Sequence, residues 1–162
     1  MRLGVFSVLL GLVATPVLAV TFQTPLEKVE WAVEGDRFEC RLTQPVKDFG
    51  LGEFVRRAGE GPVFRLHTQE RWLARGSATL FAAAATWRER DGHINLGPVL
   101  VTDNGTALQS SQSQATRLLT AMLEGRGPIV RHRTLDGEPL EVRVVPAHFA
   151  DAYQRYLTCA AG

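Results

Sequence analysis

Turn-forming residues recur along this chain and divide it into short segments, each with the pattern of a β-strand. In residues 63–67, Phe64 and Leu66 would lie on one face of a strand and the other three residues on the opposite face, which is typical of a half-buried strand. Further strand-like segments are 29–33, 38–42, 54–57, 94–102, 129–133 and 140–145. The glycines and aspartates between them predict hairpins that join 29–33 to 38–42 and 129–133 to 140–145. The alanine-rich run 78–85 fits either a strand or a buried helical turn.

Two segments instead have the period of an α-helix. In residues 111–124 the apolar positions fall at i, i+3, i+4 and i+7, occupied by Ala115, Leu118, Leu119 and Met122. Ser111 and Gln114 form a candidate capping box, and Gly125 follows the expected end. A second helix is predicted over 148–159, with an apolar stripe of Phe149, Ala152, Tyr153 and Tyr156. The pattern as a whole predicts a mainly β fold (β-rich α+β), which we expect to be an antiparallel curved sheet or partial barrel with about two helices.

Residues 1–19 have the pattern of a cleavable signal peptide. A basic Arg2 precedes an apolar run, and small residues precede an expected cut before Val20. The alternative is a membrane anchor, but a spanning helix needs roughly 20 apolar residues, and Pro16 interrupts this one. We therefore expect an exported mature chain of residues 20–162, which suits a single domain.

The chain has two cysteines, Cys40 and Cys159. Export would place them where thiols are oxidised, so a single disulfide between them is expected. Such a bridge would hold the C-terminal helix on an N-terminal strand. The alternative is a pair of unrelated buried thiols. There is no Cys-x-x-Cys motif, so the cysteines predict neither a redox site nor a zinc site.

Neither charge nor motifs predict catalysis or nucleic-acid binding. Without Arg2, 17 of the 18 basic residues remain against 17 acidic residues, so the mature domain is formally neutral and nucleic acid is not an expected partner. The histidines are widely separated, at His67, His93, His132 and His148. Carboxylates that could pair only across strands are Glu27, Glu30, Glu138 and Glu141. We expect a protein that is not an enzyme and that holds no metal or cofactor.

Three arginines form a candidate interaction face. A three-residue turn at 136–138 would place Arg131, Arg133 and Arg143 on one outer face of a hairpin, with Arg133 opposite Glu141. The inner face would then carry Leu140, Val142 and Val144. Such a basic face could bind an acidic partner surface. The alternative is an ordinary solvated face that nearby glutamates partly balance.

One long motif resembles a known family. The motif comprises Glu39, Cys40, Leu42, Pro45, Val46, Phe49 and Gly50, followed by Phe54, Arg57 and Ala58. It is similar to the N-terminal domain of the flagellar motor protein MotY, whose pattern reads Glu-Cys-x-Leu-x-x-Pro, Ile or Val, Phe-Gly and then Phe-x-x-Arg-Ala. The resemblance covers essentially the whole predicted mature chain, and Cys159 falls where the family closes its bridge.

The resemblance implies a periplasmic, non-enzymatic component of the flagellar basal body. Such a protein would form part of a ring (the T ring), bind basal-body and partner ring proteins, and help to assemble or retain stator units. Family members continue into an OmpA-like peptidoglycan-binding domain, whereas this sequence ends at Gly162, which puts peptidoglycan binding by this chain in doubt. The alternatives are a truncated product, a stand-alone version that joins the ring without binding peptidoglycan, and an anchor supplied by a second protein. The alternative function is a periplasmic module that binds a small ligand. If the protein assembles with neighbours, residues 96–101 or the segment around Trp87 are candidate contact surfaces.

Overall fold

A computed structural model describes residues 18–70, 73–84 and 92–161. These residues form one curled sheet of ten strands, shaped like half a barrel, and two α-helices. The strands are β1 (Val20–Gln23), β2 (Ala32–Gly35), β3 (Glu39–Val46), β4 (Gly50–Arg57), β5 (Val63–Thr68), β6 (Ser77–Ala84), β7 (His93–Thr102), β8 (Ala107–Gln109), β9 (Arg126–Arg133) and β10 (Pro139–Arg143). The helices are α1 (Gln112–Leu123) and α2 (Phe149–Ala161). The predicted β-rich class with two helices is confirmed.

The strand order is β1-β10-β9-β6-β7-β8-β5-β4-β3-β2. Both predicted hairpins, β2–β3 and β9–β10, are present. The sheet is antiparallel except at one edge, where β1 lies parallel to β10. Residues 96–101, a predicted contact surface, do not form an edge strand, because β7 lies inside the sheet and pairs with both β6 and β8, although Leu100 is 64% exposed. Trp87 lies outside the described residues.

The alanine-rich run is a strand. β6 pairs with β9 on one side and β7 on the other, so its backbone groups are satisfied by both neighbours. Ala78, Leu80 and Ala82 face the core on alternate positions and are almost completely buried. The small side chains gave no period in the sequence, and pairing with two neighbouring strands decides the conformation.

Helix α1 begins and ends as predicted. The Ser111 hydroxyl accepts a hydrogen bond from the Gln114 backbone N–H at 3.1 Å, and the Gln114 side-chain oxygen accepts one from the Ser111 N–H at 2.9 Å. The Gln114 amide also donates to the carbonyls of Leu96 and Pro98, which fixes the start of the helix against β7. Gly125 follows the helix with φ 82°, a left-handed conformation that glycine adopts without steric cost.

The disulfide holds the end of α2 on the sheet. Cys40 of β3 is bonded to Cys159 of α2, and their Cα atoms are 6.1 Å apart. Gly35 of β2 lies beside this bridge, because a Cβ atom there would come within 2.6 Å of the Cys159 Sγ atom. Gly35 therefore permits the close approach of the helix, in addition to its place at the end of the hairpin strand.

Side-chain hydrogen bonds tie the two ends of the curled sheet together. The buried amide of Gln44, in β3, donates to the Val145 carbonyl at 2.7 Å and accepts from the Val145 N–H at 2.9 Å, just after β10. The Trp31 indole N–H donates to the Ala147 carbonyl at 3.0 Å. At the end of β3, the Thr24 hydroxyl donates to the Pro45 carbonyl at 2.8 Å and accepts from the Lys47 N–H at 2.9 Å. These bonds, here called the closing contacts, hold the half-barrel in its curled shape.

Candidate interaction surface

The three predicted arginines do lie on the outer face of the β9–β10 hairpin, in a register that differs from the predicted one. Arg131 lies opposite Glu141, and Arg133 lies opposite Pro139. The prediction of Arg133 opposite Glu141 was wrong because the connecting turn spans 134–138 and not 136–138. The Thr134 N–H donates to the Glu138 carbonyl and closes the longer loop. The observed pairing is shifted by two residues from the predicted pairing. Because this shift is an even number, each side chain still lies on its predicted face. The inner residues Leu140, Val142 and Val144 are buried as expected.

Glu141 is a shared anion between two of these arginines. Its carboxylate accepts hydrogen bonds from the Arg131 Nε at 2.8 Å and from the Arg143 side chain at 2.5 Å. Only 10% of the Glu141 side chain is exposed, against 46% for Arg131 and 28% for Arg143. The Arg131 guanidinium also lies 5.0 Å above the Phe81 ring of β6. Hydrogen bonds and the ring contact thus hold Arg131, Glu141 and Arg143 together. These two arginines and one glutamate carry one net positive charge.

The pKa of Glu141 is lowered from its ordinary value of 4.5. Burial is the largest single influence and would raise this pKa, but the hydrogen bonds and charges of Arg131 and Arg143 together outweigh it. A carboxyl whose pKa is lower in the folded state stabilises the fold at pH values above its unfolded pKa. This stabilisation is lost as the pH falls through the folded pKa.

We expect Glu141→Gln to lower the free energy of unfolding by about 1 to 2 kcal/mol at pH 7, because two arginines lose a charged acceptor that solvent only partly screens. The difference from the wild-type protein should begin to shrink as the pH falls below 4.5, the ordinary pKa of the carboxyl, and should go on shrinking as the pH falls through the lower pKa of Glu141 in the folded protein. Urea unfolding at a series of pH values measures the stability difference at pH 7 and its change with pH. A difference that stays the same between pH 7 and pH 3 would contradict the ion-pair assignment.

Arg133 is exposed and, unlike Arg131 and Arg143, has no carboxylate partner among the described residues. Its guanidinium donates to the Gly137 carbonyl at 2.8 Å, and it makes no ion pair within the part of the chain that the structure describes. Its charge is therefore available to a partner at little desolvation cost. Arg131, Arg133, Arg143 and Glu141 together are called the arginine face.

A cleft of about 540 Å³ borders the arginine face at Arg143. Apolar side chains form most of its wall: Ile129 comes from β9, Val144, Val145 and Pro146 follow β10, and Leu26 comes from the segment between β1 and β2. Gly127 lets this segment approach, because a Cβ atom there would lie 2.9 Å from the Pro146 Cδ. The cleft could not be predicted from the sequence, since its lining comes from segments far apart in the chain. Only the small residues at positions 125 and 127 signalled a close backbone approach.

The other candidate side chains do not converge. His67 contacts the buried carboxylate of Glu53 at 2.6 Å on the outer face of β4 and β5, and the His132 ring contacts the Ala74 carbonyl at 2.7 Å. Glu141 is held by arginines, whereas Glu138 lies in the hairpin turn. Across residues 18–70, 73–84 and 92–161, no three His, Cys, Asp or Glu side chains come together in a group that could hold a metal ion.

No helix among the described residues is both long and apolar enough to cross a membrane. The surface described so far carries the arginine face and a neighbouring apolar cleft, on a framework closed by one disulfide. Together they define a β-rich domain that offers a charged sheet face beside apolar surface, a combination suited to binding another molecule.

A family model described as the MotY N-terminal domain matches residues 22–162, nearly the whole chain. The chain therefore belongs to the MotY N-terminal domain family, and the resemblance in the Glu39–Cys40 motif is confirmed. It is a flagellar motor-associated protein, of a family of structural motor components and not of enzymes. A comparison with curated proteins found no match.

Proposed function

We propose that this protein is a periplasmic, non-enzymatic component of the flagellar basal-body ring that helps to assemble or retain stator units. The family match carries the proposal. The Cys40–Cys159 disulfide supports it, because such bridges form and persist in oxidising compartments such as the bacterial periplasm. Cleavage before Val20 fits as well, since it would leave β1 complete. Mass spectrometry of the protein recovered from the periplasm would give the position of the cut.

The arginine face is the proposed docking surface for a basal-body or partner ring protein. Arg131, Arg133 and Arg143 lie on one rigid hairpin face that keeps a net positive charge. Opposite charges across an interface raise the association rate and fix the orientation of the partners. An acidic surface on the partner is therefore the expected complement.

The proposal is tested by deleting the gene in its source organism and restoring it as this chain. Two quantities are measured: swimming in soft agar, and co-purification of the protein with isolated basal bodies. Co-purification together with restored swimming supports the ring and stator role. A protein that is folded in the periplasm and absent from purified basal bodies would overturn it.

We expect Arg133→Glu to reduce co-purification with basal bodies at least fivefold while leaving the free energy of unfolding within about 0.5 kcal/mol of the wild-type value. Arg133 suits this test because it has no carboxylate partner to lose, unlike Arg131 and Arg143. Arg155→Glu, an exposed site on α2, is the matched control and should co-purify normally. Equal recovery of the two variants would exclude the arginine face as the docking surface.

The cleft beside Arg143 favours a second candidate function, the binding of a small apolar acid. Its volume of about 540 Å³ lies in the range of small-molecule sites, and one arginine stands among apolar side chains. Thermal unfolding with and without octanoate distinguishes the two functions. A saturable rise in melting temperature that Arg143→Gln abolishes would favour ligand binding, and no change would favour the docking role.

A further inference from the structure

A second groove, distinct from the arginine face, lies between α1 and α2. It has a volume of about 200 Å³ and is here called the interhelical groove. Its apolar wall includes Leu119, Leu123 and Leu157. Leu123 is 52% exposed and Leu157 is 36% exposed, although both lie on helices whose other faces are packed on the sheet. Both helices thus present an apolar side chain to solvent where they flank this groove.

A buried polar group lacks a partner in the same groove. Tyr156 lines the groove and is only 1% exposed, and its hydroxyl has no hydrogen-bond partner among the described residues. Buried hydroxyls are usually paired, because an unpaired one loses its bonds to water without replacement. Burial raises the pKa of Tyr156 to about 12, so the phenol stays protonated at neutral pH and is a hydrogen-bond donor in need of an acceptor.

A cation without an ion-pair partner among the described residues lines the same groove. Arg56 also lines the groove, and its charge acts on the Tyr156 phenol. Arg56 of β4 pairs with Cys40 of β3. Because Cys40 is bonded to Cys159 of α2, Arg56 lies on the sheet face that α2 covers. Arg56 is exposed and makes no ion pair within the described part of the chain. The groove therefore combines an apolar wall, a cation and a neutral donor, and all three can be satisfied by one acidic group attached to an apolar side chain.

We propose that the interhelical groove binds a segment of a partner protein that inserts one large apolar side chain and places a neighbouring carboxylate against Arg56 and the Tyr156 hydroxyl. This inference rests on the proposed docking function, for which it names the chemistry of a partner. A protein segment is favoured over a free lipid or metabolite because about 200 Å³ holds a single side chain, whereas small-molecule pockets are usually larger. Arg56, Leu123 and Leu157 are exposed, so a partner can move them without disturbing the sheet.

The test is a titration of the purified protein with the blocked dipeptide N-acetyl-leucyl-aspartyl amide, followed by ¹H–¹⁵N NMR. The matched probe is N-acetyl-leucyl-asparaginyl amide, which has the same shape and no charge. We expect saturable shifts at α1, α2 and the Arg56 side chain, and roughly tenfold weaker binding of the asparaginyl probe. Equal binding of the two probes, or shifts confined to other surfaces, would overturn the proposal. Tighter binding of octanoate than of the aspartyl probe would overturn the protein-segment occupant.

Tyr156→Phe separates binding from folding. The substitution removes only the unpaired hydroxyl, so the melting temperature should stay the same or rise while affinity for the aspartyl probe falls about fivefold. Arg56→Gln should weaken that binding roughly tenfold, and Arg155→Gln on the solvent side of α2 should not change it. If Tyr156→Phe lowers the melting temperature and leaves affinity unchanged, the hydroxyl is structural and the proposal is wrong.

The two proposals fail separately. The probe titration needs no basal body, so its outcome is independent of the motor experiment. Absence from basal bodies with intact probe binding would leave the groove as a binding site and remove the motor role. Normal recovery with basal bodies and no probe binding would support the motor role and overturn the groove as a binding site.

Discussion

We expect the double substitution Cys40→Ser and Cys159→Ser to lower the free energy of unfolding by about 2 to 5 kcal/mol. The bridged residues are 119 positions apart, and a loop of that length gives an entropic stabilisation of about 4 to 5 kcal/mol in the chain-entropy model. The bridge also fixes α2 on β3, and Phe149 and Tyr156 of that helix belong to the core. Urea unfolding under oxidising conditions measures the difference.

Reductant provides the internal control for this prediction. Dithiothreitol should bring the wild-type protein to the stability of the double variant and should leave the variant itself unchanged. The amount of folded protein in the periplasm should fall as well, because a loss of this size is a large part of the stability of a small domain. An unchanged unfolding transition in the double variant would show that the bridge does not stabilise the fold.

Much of the fold could be predicted from the sequence where the determinants are local. The capping box of α1, the glycine that follows it and the β9–β10 hairpin all depend on residues close together in the chain. The faces of that hairpin were predictable for the same reason, because alternation alone decides which side chains point outwards. The register was not predictable, since the loop 134–138 is closed by a bond between Thr134 and Glu138 that sequence spacing does not reveal.

The elements that were missed depend on distant partners. β1 is a short edge strand that pairs, among the described residues, with β10 near the other end of the chain, and the parallel pairing leaves no hairpin signal. β8 is shorter still and lies between β5 and β7. The interhelical groove was equally hidden, because Arg56 and Tyr156 belong to segments far apart in the sequence. In each case tertiary contact, and not local propensity, decides the structure.

We expect Gln44→Leu to lower the free energy of unfolding by about 2 to 5 kcal/mol, although leucine has a similar size and is more apolar. The wild-type amide is completely buried and satisfies both the N–H and the carbonyl of Val145. Leucine would leave both backbone groups buried and unpaired, and each such group costs about 1 to 3 kcal/mol. The exposed Gln154, on α2, supplies the matched control Gln154→Leu, which should change the stability by less than about 0.5 kcal/mol.

Gln44→Glu distinguishes lost hydrogen bonds from altered packing. A protonated glutamate can replace the amide, donating to the Val145 carbonyl and accepting from its N–H, whereas the ionised form would be buried against a carbonyl oxygen. The folded-state pKa of this new carboxyl should therefore be raised above its unfolded value, so its stabilising contribution is complete below the unfolded pKa and is lost as the pH rises. The stability difference between Gln44→Glu and the wild-type protein should accordingly narrow towards acid pH and widen towards pH 7. A constant difference would mean that shape alone matters at position 44, and the closing contacts would then not hold the sheet in its curled form.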